Sequence, residues 1–546
     1  MAKENAVKKI CFAFLSLLIL LAASCKKPIK DSPAQKSDPF CSAPVKTESG
    51  MVKGLAESDL QTCVWRGIPY AAPPVGELRW KAPQPAKAWE GIRDGSVWGH
   101  RCMGMFGMAQ KYFDKDPSGK MSEDCLYLNI WRPKKEGKFP VMVWIHGGGY
   151  AAGTANTPGY WGDRMSEFGD VIVVSINYRL NYFGFLALPA LREEDPNKSV
   201  GSYGSLDQVA ALKWVKNNIA AFGGDPQNVT VFGESAGGMS VCTLLASPLA
   251  SGLFERAIIE SGPCKVGTPL ELSYERGKRA ASSWDCGPDD LECLRAVPAS
   301  KIVSSRRGQH MGLFMPHQDG YFLNASATDI IRSGNFNKAP LLAGFNRDEF
   351  SIMAKVFALK SRKAGPEAYP KKIAALLSLD KKDAEQLVKL YPISAYDNKV
   401  INAYAQMRSD TGIICPTYRG LEAVTNHQVD AYLYRFDFDD FRMGRRIGAM
   451  HAMELPFVFD AFERSFKRLY KPEQIQKAKP LSKIMMAYWT NFARTGNPNG
   501  PGLPEWPKFD PKDQKLLVLD EQVKVEQAGL SDRCKFWEEH RSRLDW

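Results

Sequence analysis

The sequence predicts an α/β fold with a large, mostly parallel central sheet and helices on both of its faces. Three short apolar runs, 139–145, Val171–Ile176 and Asn228–Phe232, are bounded by turn residues, which is typical of buried strands. Between the last two, apolar residues recur at helical spacing from Leu206 to Ile219 and stop at Gly223–Pro226. Strands that alternate with helices indicate βαβ units, in which functional residues lie at the carboxyl ends of parallel strands.

Length and composition are compatible with one large domain. The chain has 546 residues, of which 44% are hydrophobic and 11% aromatic, so it can bury a sizeable core. Two segments of broken composition, Gln110–Lys120 and Ser300–Gly308, are predicted to be surface excursions from the sheet, and no internal repeat is evident. We therefore expect a single α/β domain over residues 40–546.

The charge balance argues against nucleic-acid binding. The formal net charge is +12, but the 72 basic residues are offset by 60 acidic ones spread along the chain. Beyond the short cluster of Lys26, Lys27 and Lys30 there is no basic run, and basic residues do not alternate with aromatic ones. A mixed, solvated surface is the better interpretation.

Residues 1–24 are predicted to be a signal peptide. Lys3, Lys8 and Lys9 precede the apolar run Ile10–Ala23, which gives the basic and apolar regions of a secretory signal. This run is too short to span a bilayer comfortably. The segment therefore places the protein outside the cytoplasm.

The residues around Cys25 resemble a bacterial lipobox. In Leu21–Cys25 small residues precede the cysteine, although the preferred leucine lies one place early. We expect Cys25 to be lipidated, and residues 25–39, rich in Lys, Ser and Pro, to be a flexible tether that holds the protein off a membrane. The alternative is ordinary signal cleavage, which leaves Cys25 unmodified and the protein periplasmic or secreted.

If the protein is exported, its twelve cysteines are candidates for disulfides, because disulfides form and persist in an oxidising compartment. Cys286 and Cys293 flank an acidic turn and are close enough in sequence to staple a surface loop. Cys102 and Cys125 are spaced to close a loop of roughly twenty residues, which the chain-entropy model credits with about 3 kcal/mol. Spacing alone does not fix connectivity, and two reduced, buried thiols are the alternative for each pair.

The segment Gly233–Gly237 reads Gly-Glu-Ser-Ala-Gly and matches the G-x-S-x-G pattern. It follows a predicted strand and precedes the helical stretch Gly238–Leu245, which is the context of a nucleophilic serine on a tight strand-to-helix turn. Such a turn presents the serine hydroxyl at the edge of the sheet, above a helix N-terminus. Ser235 is therefore the candidate nucleophile; a flexible glycine turn is the alternative.

A second glycine motif, His146–Gly149, follows the strand that ends at Ile145. Glycines let backbone N–H groups turn toward a developing oxyanion, since no Cβ stands in the way. The residue after the nucleophile supplies a further N–H group, so Gly148, Gly149 and Ala236 are the candidate oxyanion donors. A phosphate-binding loop is disfavoured, because no Lys-Ser or Lys-Thr pair follows these glycines.

A serine nucleophile needs a base, and His451 is the best-placed of the seven histidines. It follows the strand-like run Ala431–Phe438, in the position of a loop at a strand end, whereas His146 belongs to the glycine turn. The remaining histidines have no comparable context and are interpreted as surface or core residues: His100, His310, His317, His427 and His540.

The acid that orients the base is expected between the serine and the histidine in chain order. The run that begins at Leu341 is a predicted strand followed by a turn with two adjacent acids, Asp348 and Glu349. Spacing alone does not choose between them.

Taken together, these residues resemble the type-B carboxylesterase family, which includes bacterial esterases, mammalian carboxylesterases and cholinesterases. The likeness extends from about Val45 to the C-terminus. It is carried by the nucleophile turn and by four further segments typical of the family: Arg66–Ala71, Ser122–Asn129, Asn177–Arg179 and Ala221–Pro226. The resemblance implies an α/β-hydrolase fold and hydrolysis of small-molecule carboxylic esters through an acyl-enzyme, with no metal or other cofactor.

The resemblance also assigns individual residues. It favours Glu349 over Asp348 as the acid, and its histidine motif falls on His451. It further implies that Glu234, beside the serine, and Ser261 steady the histidine network from behind.

The family's disulfide pattern falls on three pairs of cysteines: Cys102–Cys125, Cys286–Cys293 and Cys415–Cys534. Cys41 with Cys63 is a further conjecture. Cys242 and Cys264, near the nucleophile helix and the Ser261 turn, are expected to be small buried thiols.

One departure from the cholinesterases bears on the substrate. They carry a tryptophan in the loop closed by the first disulfide, whereas Met103–Asp124 contains none, and Phe106, Tyr112 and Phe113 are only partial substitutes for a cation–π seat. We therefore predict a general carboxylesterase. Its acyl pocket is expected near Met311–Phe314, where Gly312 leaves room for a bulky group.

Two other interpretations share this fold. The family includes adhesion and receptor modules that have lost the nucleophile, and the intact Ser235, His451 and acidic pair argue against that class. An amidase or a carbamate-hydrolysing esterase would use the same machinery. Sequence does not separate these last activities, nor does it indicate the oligomeric state.

Overall fold

The computed structural model describes residues 38–540, with the exception of residue 58, residues 105–115, residues 305–313, residue 353 and residues 355–365. Several predictions lie outside the described residues: the signal segment, Cys25, the tether up to residue 37, Phe106, Tyr112, Phe113, His310 and positions 311–313 of the expected acyl pocket. Within the described part, no helix combines the length and the apolar composition that crossing a membrane requires.

The strands of the described chain form one eleven-stranded sheet and two small sheets. In chain order they are β1 Val45–Thr47, β2 Gly50–Lys53, β3 Leu55–Ala56, β4 Thr62–Pro69, β5 Ile92–Asp94, β6 Arg101–Cys102, β7 Met121–Ser122, β8 Tyr127–Pro133, β9 Phe139–Ile145, β10 Ile172–Ile176, β11 Gly224–Glu234, β12 Arg256–Glu260, β13 Leu341–Asn346, β14 Ala431–Phe436, β15 Lys515–Leu519 and β16 Lys524–Gln527.

The large sheet has the order β16-β15-β14-β13-β12-β11-β9-β10-β8-β4-β3. All neighbours from β15 through β10 are parallel, whereas β16 at one edge and β8, β4 and β3 at the other are antiparallel. The strands that follow β9 in the chain, β10 and β11, lie on opposite sides of it, so the strand order reverses at β9. The carboxyl ends of β9 and β11 therefore border a crevice of the kind that binds ligands in α/β folds.

The helices of the described chain lie between and around these strands. In chain order they are α1 Pro39–Ser42, α2 Asp163–Gly169, α3 Asn181–Phe185, α4 Pro189–Glu194, α5 Tyr203–Asn218, α6 Ala236–Ala246, α7 Leu270–Ser283, α8 Leu291–Ala296, α9 Ala299–Ser304, α10 Ala327–Ser333, α11 Tyr369–Leu377, α12 Lys381–Leu390, α13 Val400–Ser409, α14 Cys415–Thr425, α15 Gly444–Ile447, α16 Leu455–Val458, α17 Pro472–Thr495 and α18 Ser531–Glu539.

The sheet is buried on both faces, which explains its continuous apolar strands. In β9, Val141 and Val143 pack into one core with α5, α6 and α14, while Met142 and Trp144 pack into a second core with α2 and α17. Because successive side chains point to opposite faces, a strand covered on both sides must be apolar at every position. The predicted fold class, a mostly parallel sheet with helices on both faces, is confirmed.

The predicted element bounds need modest corrections. The strand expected at Asn228–Phe232 is longer, since β11 begins at Gly224 and reaches Glu234, with a register shift against β9 between Gly224 and Val229. Only Gly223, with φ of 79°, ends the helical segment that precedes this strand. The expected strand Ala431–Phe438 ends earlier, at Phe436, where β14 loses its partner residues on β13 and β15.

The described residues contain five disulfides: Cys41–Cys63, Cys102–Cys125, Cys242–Cys264, Cys286–Cys293 and Cys415–Cys534. The expectation that Cys242 and Cys264 are reduced thiols is wrong. Helix α6 lies directly against the segment after β12, where a Cβ on Gly262 would approach the Cα of Gly238 to 2.5 Å. This close backbone contact brings the two cysteine Cα atoms to 5.4 Å, a normal disulfide separation.

Candidate active site

Ser235 occupies the single-residue turn between β11 and α6. Its backbone has φ of 56° and ψ of −122°, a conformation that costs a non-glycine residue of order 1–3 kcal/mol. The turn is held on both sides, because the Ser235 N–H donates to the carbonyl of Glu260 (2.9 Å) and the Ser235 carbonyl accepts from Met239 N–H (2.9 Å). The half-buried serine therefore projects at the carboxyl end of β11, as the motif predicts.

The flanking glycines are required by close packing against β9. A Cβ on Gly237 would lie 1.9 Å from the carbonyl oxygen of Ile145, and a Cβ on Gly233 would lie 2.6 Å from the same oxygen. No side chain fits at that separation. The pattern G-x-S-x-G is thus explained by the contact between the serine turn and the end of the neighbouring strand.

The loop after β9 lies beside this turn. A Cβ on Gly147 would approach the Cβ of Ser235 to 3.0 Å, and Gly148 and Gly149 follow with φ of 106° and 63°. Ala236 is fully buried as the first residue of α6. The structure therefore brings together Ser235 and the three residues expected to supply oxyanion donors.

His146 holds that loop in place and is a structural residue. Its ring stacks on Tyr178 with 4.5 Å between centroids, and its Nδ1 lies 2.9 Å from the Gly147 carbonyl. Burial lowers the pKa of His146 to about 4, so the imidazole is neutral.

His451 contacts Glu349 rather than Asp348. Nδ1 of His451 lies 2.6 Å from Oε2 of Glu349, and the other carboxylate oxygen accepts the N–H of Asn346 at 2.7 Å. Asp348 is turned away, accepting from Arg347 Nε (2.8 Å) and from the backbone N–H of Ala449 (3.0 Å). Sequence spacing did not choose between these two adjacent acids. Their hydrogen-bond partners do, because only Glu349 contacts His451.

The second nitrogen of His451 faces another carboxylate. Nε2 lies 3.1 Å from Oε1 of Glu234, and 33% of the imidazole side-chain surface is exposed. Among the hydrogen bonds of the described residues, none joins the Ser235 hydroxyl to His451. Contacts between a nucleophile and its base are often long before substrate binds and shorten in the complex.

Three buried glutamates act on this histidine, Glu234, Glu349 and Glu454, and a fourth, Glu260, pairs in register with Glu234. Burial raises the pKa of Glu234 to about 7 and that of Glu260 to about 8, and it raises the pKa of Glu454 well above its usual value. Withdrawal from water lowers the pKa of His451, but the carboxylates of Glu234 and Glu349 outweigh it and raise the value to about 10. The site therefore favours a positively charged imidazole.

Sequence reasoning missed the polar residues behind the histidine. The side-chain amide of Asn346 donates to the Met450 carbonyl (2.7 Å) and to Glu454, and the indole of Trp489 donates to Glu260 at 2.7 Å. Glu454 stands three residues after His451, so its position in the histidine motif was the available signal. The indole contact joins residues 229 positions apart, and no sequence signal marks it.

The two residues expected behind the histidine differ in their contacts. Glu234 lies against His451, as described above. Ser261 is fully buried, with φ of 49°, and its N–H donates to the Gly344 carbonyl at 2.9 Å, but its hydroxyl has no hydrogen-bond partner among the described residues.

The other described histidines lie in structural contacts away from this site. His317 is buried between the hydroxyl of Ser273 and the carbonyl of Phe185, and burial lowers its pKa to about 4. The rest have ring nitrogens near backbone carbonyls: His100, His427 and His540. Within the described ranges, no group of three or more His, Cys, Asp and Glu side chains is arranged to hold a metal ion.

Comparison with known proteins identifies the family. Residues 42–537 match the model of the carboxylesterase family. The para-nitrobenzyl esterase of Bacillus subtilis (strain 168) is 36% identical over 498 residues, which cover 90% of this chain and 97% of that protein. The human cocaine esterase is 35% identical over 512 residues, which cover 89% of this chain and 88% of that protein.

Solved structures agree with the sequence relatives. The carboxylesterase EST55 of Geobacillus stearothermophilus at pH 6.2 superposes with a TM-score of 0.80 and 33% identity, covering 90% of this chain and 99% of that one. A PNB esterase superposes with a TM-score of 0.76 and 34% identity, covering 90% of this chain and 99% of that one. The chain therefore belongs to the type-B carboxylesterase family, has the α/β-hydrolase fold and is a carboxylic-ester hydrolase.

Proposed function

We propose that this enzyme cleaves esters through an acyl-enzyme formed on Ser235, with His451 as the general base and Glu349 as the acid that orients it. The single observation that carries the proposal is the 2.6 Å contact between Nδ1 of His451 and Oε2 of Glu349, across the crevice from the strained Ser235 turn. This contact fixes the imidazole so that its other nitrogen serves the nucleophile.

The reactive form of His451 is the neutral imidazole, whose population grows as the pH rises. In the first half of the reaction, this imidazole takes the proton of Ser235 as the hydroxyl oxygen attacks the ester carbonyl carbon. The backbone N–H groups of Gly148, Gly149 and Ala236 then stabilise the oxyanion of the tetrahedral intermediate. The imidazolium returns its proton to the departing alkoxide, which leaves as the alcohol. The product of this half is a neutral histidine and an ester between Ser235 and the acyl group.

In the second half, His451 removes a proton from water, whose oxygen attacks the acyl carbon. The same three N–H groups bind the second oxyanion, and the proton returns to the serine oxygen as the acid product leaves. Each oxyanion donor of this kind is worth about 3–4 kcal/mol of transition-state stabilisation. The carboxylates of Glu349 and Glu234 stabilise the imidazolium in both halves.

The test is hydrolysis of p-nitrophenyl esters of increasing acyl length, and of p-nitrobenzyl esters, by a soluble form that begins after residue 30. The choice of p-nitrobenzyl esters follows from the name of the Bacillus relative. We expect turnover that ranks by acyl length and is lost by more than about a thousandfold in Ser235→Ala. Equal turnover by wild type and by Ser235→Ala, or no turnover by folded wild type, would exclude the Ser235 mechanism.

We also propose that the enzyme works outside the cytoplasm, anchored to a membrane through Cys25. The support is the N-terminal signal pattern together with the five disulfides, which an oxidising compartment favours. Labelling of expressing cells with a clickable fatty acid should mark the wild type but not Cys25→Ser. An unlabelled wild type in the membrane-free fraction would favour ordinary secretion instead.

A further inference from the structure

A row of polar residues crosses the central sheet behind the candidate nucleophile. Glu234 pairs in register with Glu260, Glu260 with Gly344, and Gly344 with Tyr434. Register partners on neighbouring strands point to the same face of a sheet, so β11, β12, β13 and β14 contribute one residue each to the row. The row begins next to Ser235 and ends at a tyrosine hydroxyl.

Because Gly344 has no side chain, the Tyr434 ring can lie across β13 and reach toward Glu260. A Cβ at that position would lie 2.2 Å from the Tyr434 ring, so the ring lies over the glycine and extends toward Glu260. From helix α17, Trp489 packs above the row, with 5.4 Å between its ring centroid and that of Tyr434, and its Nε1–H donates to Oε1 of Glu260 at 2.7 Å. Glu260 is thereby enclosed, with 0% of its surface exposed.

The enclosed atoms leave hydrogen-bonding capacity unused. Three buried oxygens in and beside the row have no hydrogen-bond partner among the described residues: Oε2 of Glu260, the hydroxyl of Tyr434 and the hydroxyl of Ser261. Two ionised carboxylates on the same face of neighbouring strands would repel each other, whereas a protonated carboxyl at Glu260 removes that repulsion. A carboxylic acid at Glu260 therefore suits this fully buried position beside Glu234 better than a carboxylate does.

The charges around Glu260 favour the same state. The titratable groups that face it are Glu234 on β11, Tyr434 on β14 and Glu454 beyond α15, and all are neutral when protonated and negative when they lose a proton. Among the described residues no lysine or arginine forms an ion pair with Glu260, while the carboxylates of Glu234 and Glu349 share His451 as their cation. Burial, opposed by the indole hydrogen bond and assisted by Glu234, raises the pKa of Glu260 to about 8.

We propose that Glu260 is a positioning residue that remains a neutral carboxylic acid at physiological pH and so limits the negative charge around His451. This inference rests on the proposed role of His451 as the base. Because each added carboxylate stabilises the imidazolium, a charge on Glu260 would raise the pKa of His451 further and so strengthen the bias toward the protonated form, which cannot accept the serine proton. Loss of the Glu260 proton above about pH 8 therefore opposes the gain in activity that rising pH otherwise brings.

The first test reads the proton directly and does not depend on catalysis. Infrared spectra of Ser235→Ala and of Ser235→Ala/Glu260→Gln are subtracted, and the difference should contain the carbonyl band of a neutral carboxylic acid at pH 7, which disappears as the pH rises through about 8. No such band at pH 7 would overturn the proposal, even if Ser235 proves to be the nucleophile. Conversely, the band remains observable if the Ser235 mechanism fails.

The second test uses the pH profile of kcat/KM, which a purely structural role would not shift. Glu260→Gln retains the shape of the neutral acid, so kcat/KM at pH 7 should stay within about threefold of the wild-type value. The variant cannot gain a charge as the pH rises, so its kcat/KM should reach a plateau at a lower pH than that of wild type. A profile that superposes on wild type would contradict the proposal. Glu385→Gln, which alters an exposed glutamate on α12, is the matched control and should leave the profile unchanged.

A third variant keeps the proposal testable if Glu260→Gln fails to fold. Trp489→Phe in the Ser235→Ala background removes the hydrogen bond that stabilises the charged form of Glu260. The infrared band should then persist to higher pH than in the Ser235→Ala parent. Disappearance of the band at an unchanged or lower pH would overturn the proposal.

Discussion

The two sides of the active-site crevice differ in how well the sequence predicts them. On the nucleophile side, Ser235 and the loop of Gly148 and Gly149 are fixed by short motifs at the ends of adjacent strands, and the motif glycines are explained by backbone contacts. On the histidine side, His451 and Glu349 are 102 residues apart, Trp489 and Glu260 are 229 residues apart, and both pairs are held by side-chain contacts. Backbone geometry leaves a local pattern in sequence, whereas a cluster of buried charges does not.

The largest expected effect is on the histidine side and tests which acid orients the base. Glu349→Gln keeps the shape of the side chain but removes the charge and favours the wrong imidazole tautomer, so kcat should fall by about 10⁴. Asp348→Asn is the matched control, because Asp348 contacts Arg347 and the Ala449 N–H instead of His451. Initial rates at saturating ester measure both, and a larger loss in Asp348→Asn would reverse the assignment.

On the nucleophile side, Gly237→Ala should cost at least about a hundredfold in kcat/KM. The new Cβ meets the Ile145 carbonyl at 1.9 Å, so the serine turn must move away from the glycine loop and its oxyanion donors. Gly287→Ala is the control, since its Cβ would meet only the Asp290 side chain at 3.7 Å. Circular dichroism establishes folding, and full activity in folded Gly237→Ala would contradict the packing argument.

A third prediction concerns the disulfide between helix α6 and the segment that follows β12. Cys242→Ser/Cys264→Ser removes a disulfide of sequence separation 22, which the chain-entropy model values at about 3 kcal/mol of unfolding free energy. Cys286→Ser/Cys293→Ser, with a separation of 7, should lose about 1 kcal/mol less. Denaturant unfolding compares them, and a smaller loss in the first double mutant would argue against a disulfide there.

The smallest effect is a shift in pH dependence. The pKa of His451 is raised by Glu234 and Glu349, and below that pKa the imidazole is protonated and cannot act as a base, so activity should rise with pH. Glu234→Gln removes one of these charges, which lowers the pKa of His451 and moves the rise in kcat/KM to lower pH by about one unit. A rise that stays in place or moves to higher pH would show that Glu234 does not act on His451 through its charge.

Sequence predicted the parallel sheet because strands buried on both faces are apolar at every position, as β9 is. It identified Ser235, Gly148, Gly149 and Ala236 as candidates because a tight turn and a glycine loop each depend on neighbouring residues. The choice of Glu349 over Asp348 required either resemblance to a family or the structure, since both acids suit the same turn. Element ends were less predictable, as β11 shows, because pairing with β9 extends it past Asp225 and Pro226.

By itself, the sequence determined the fold class, the nucleophile turn and the histidine loop, all of which depend on local backbone preference and on the periodicity of apolar residues. Only the tertiary structure decided that Cys242 and Cys264 are joined and that Glu260 faces Glu234 across neighbouring strands. Those relations depend on which segments pack together and on how far water is excluded between them. Burial and the distance between charges set a pKa, and neither exists until the chain is folded.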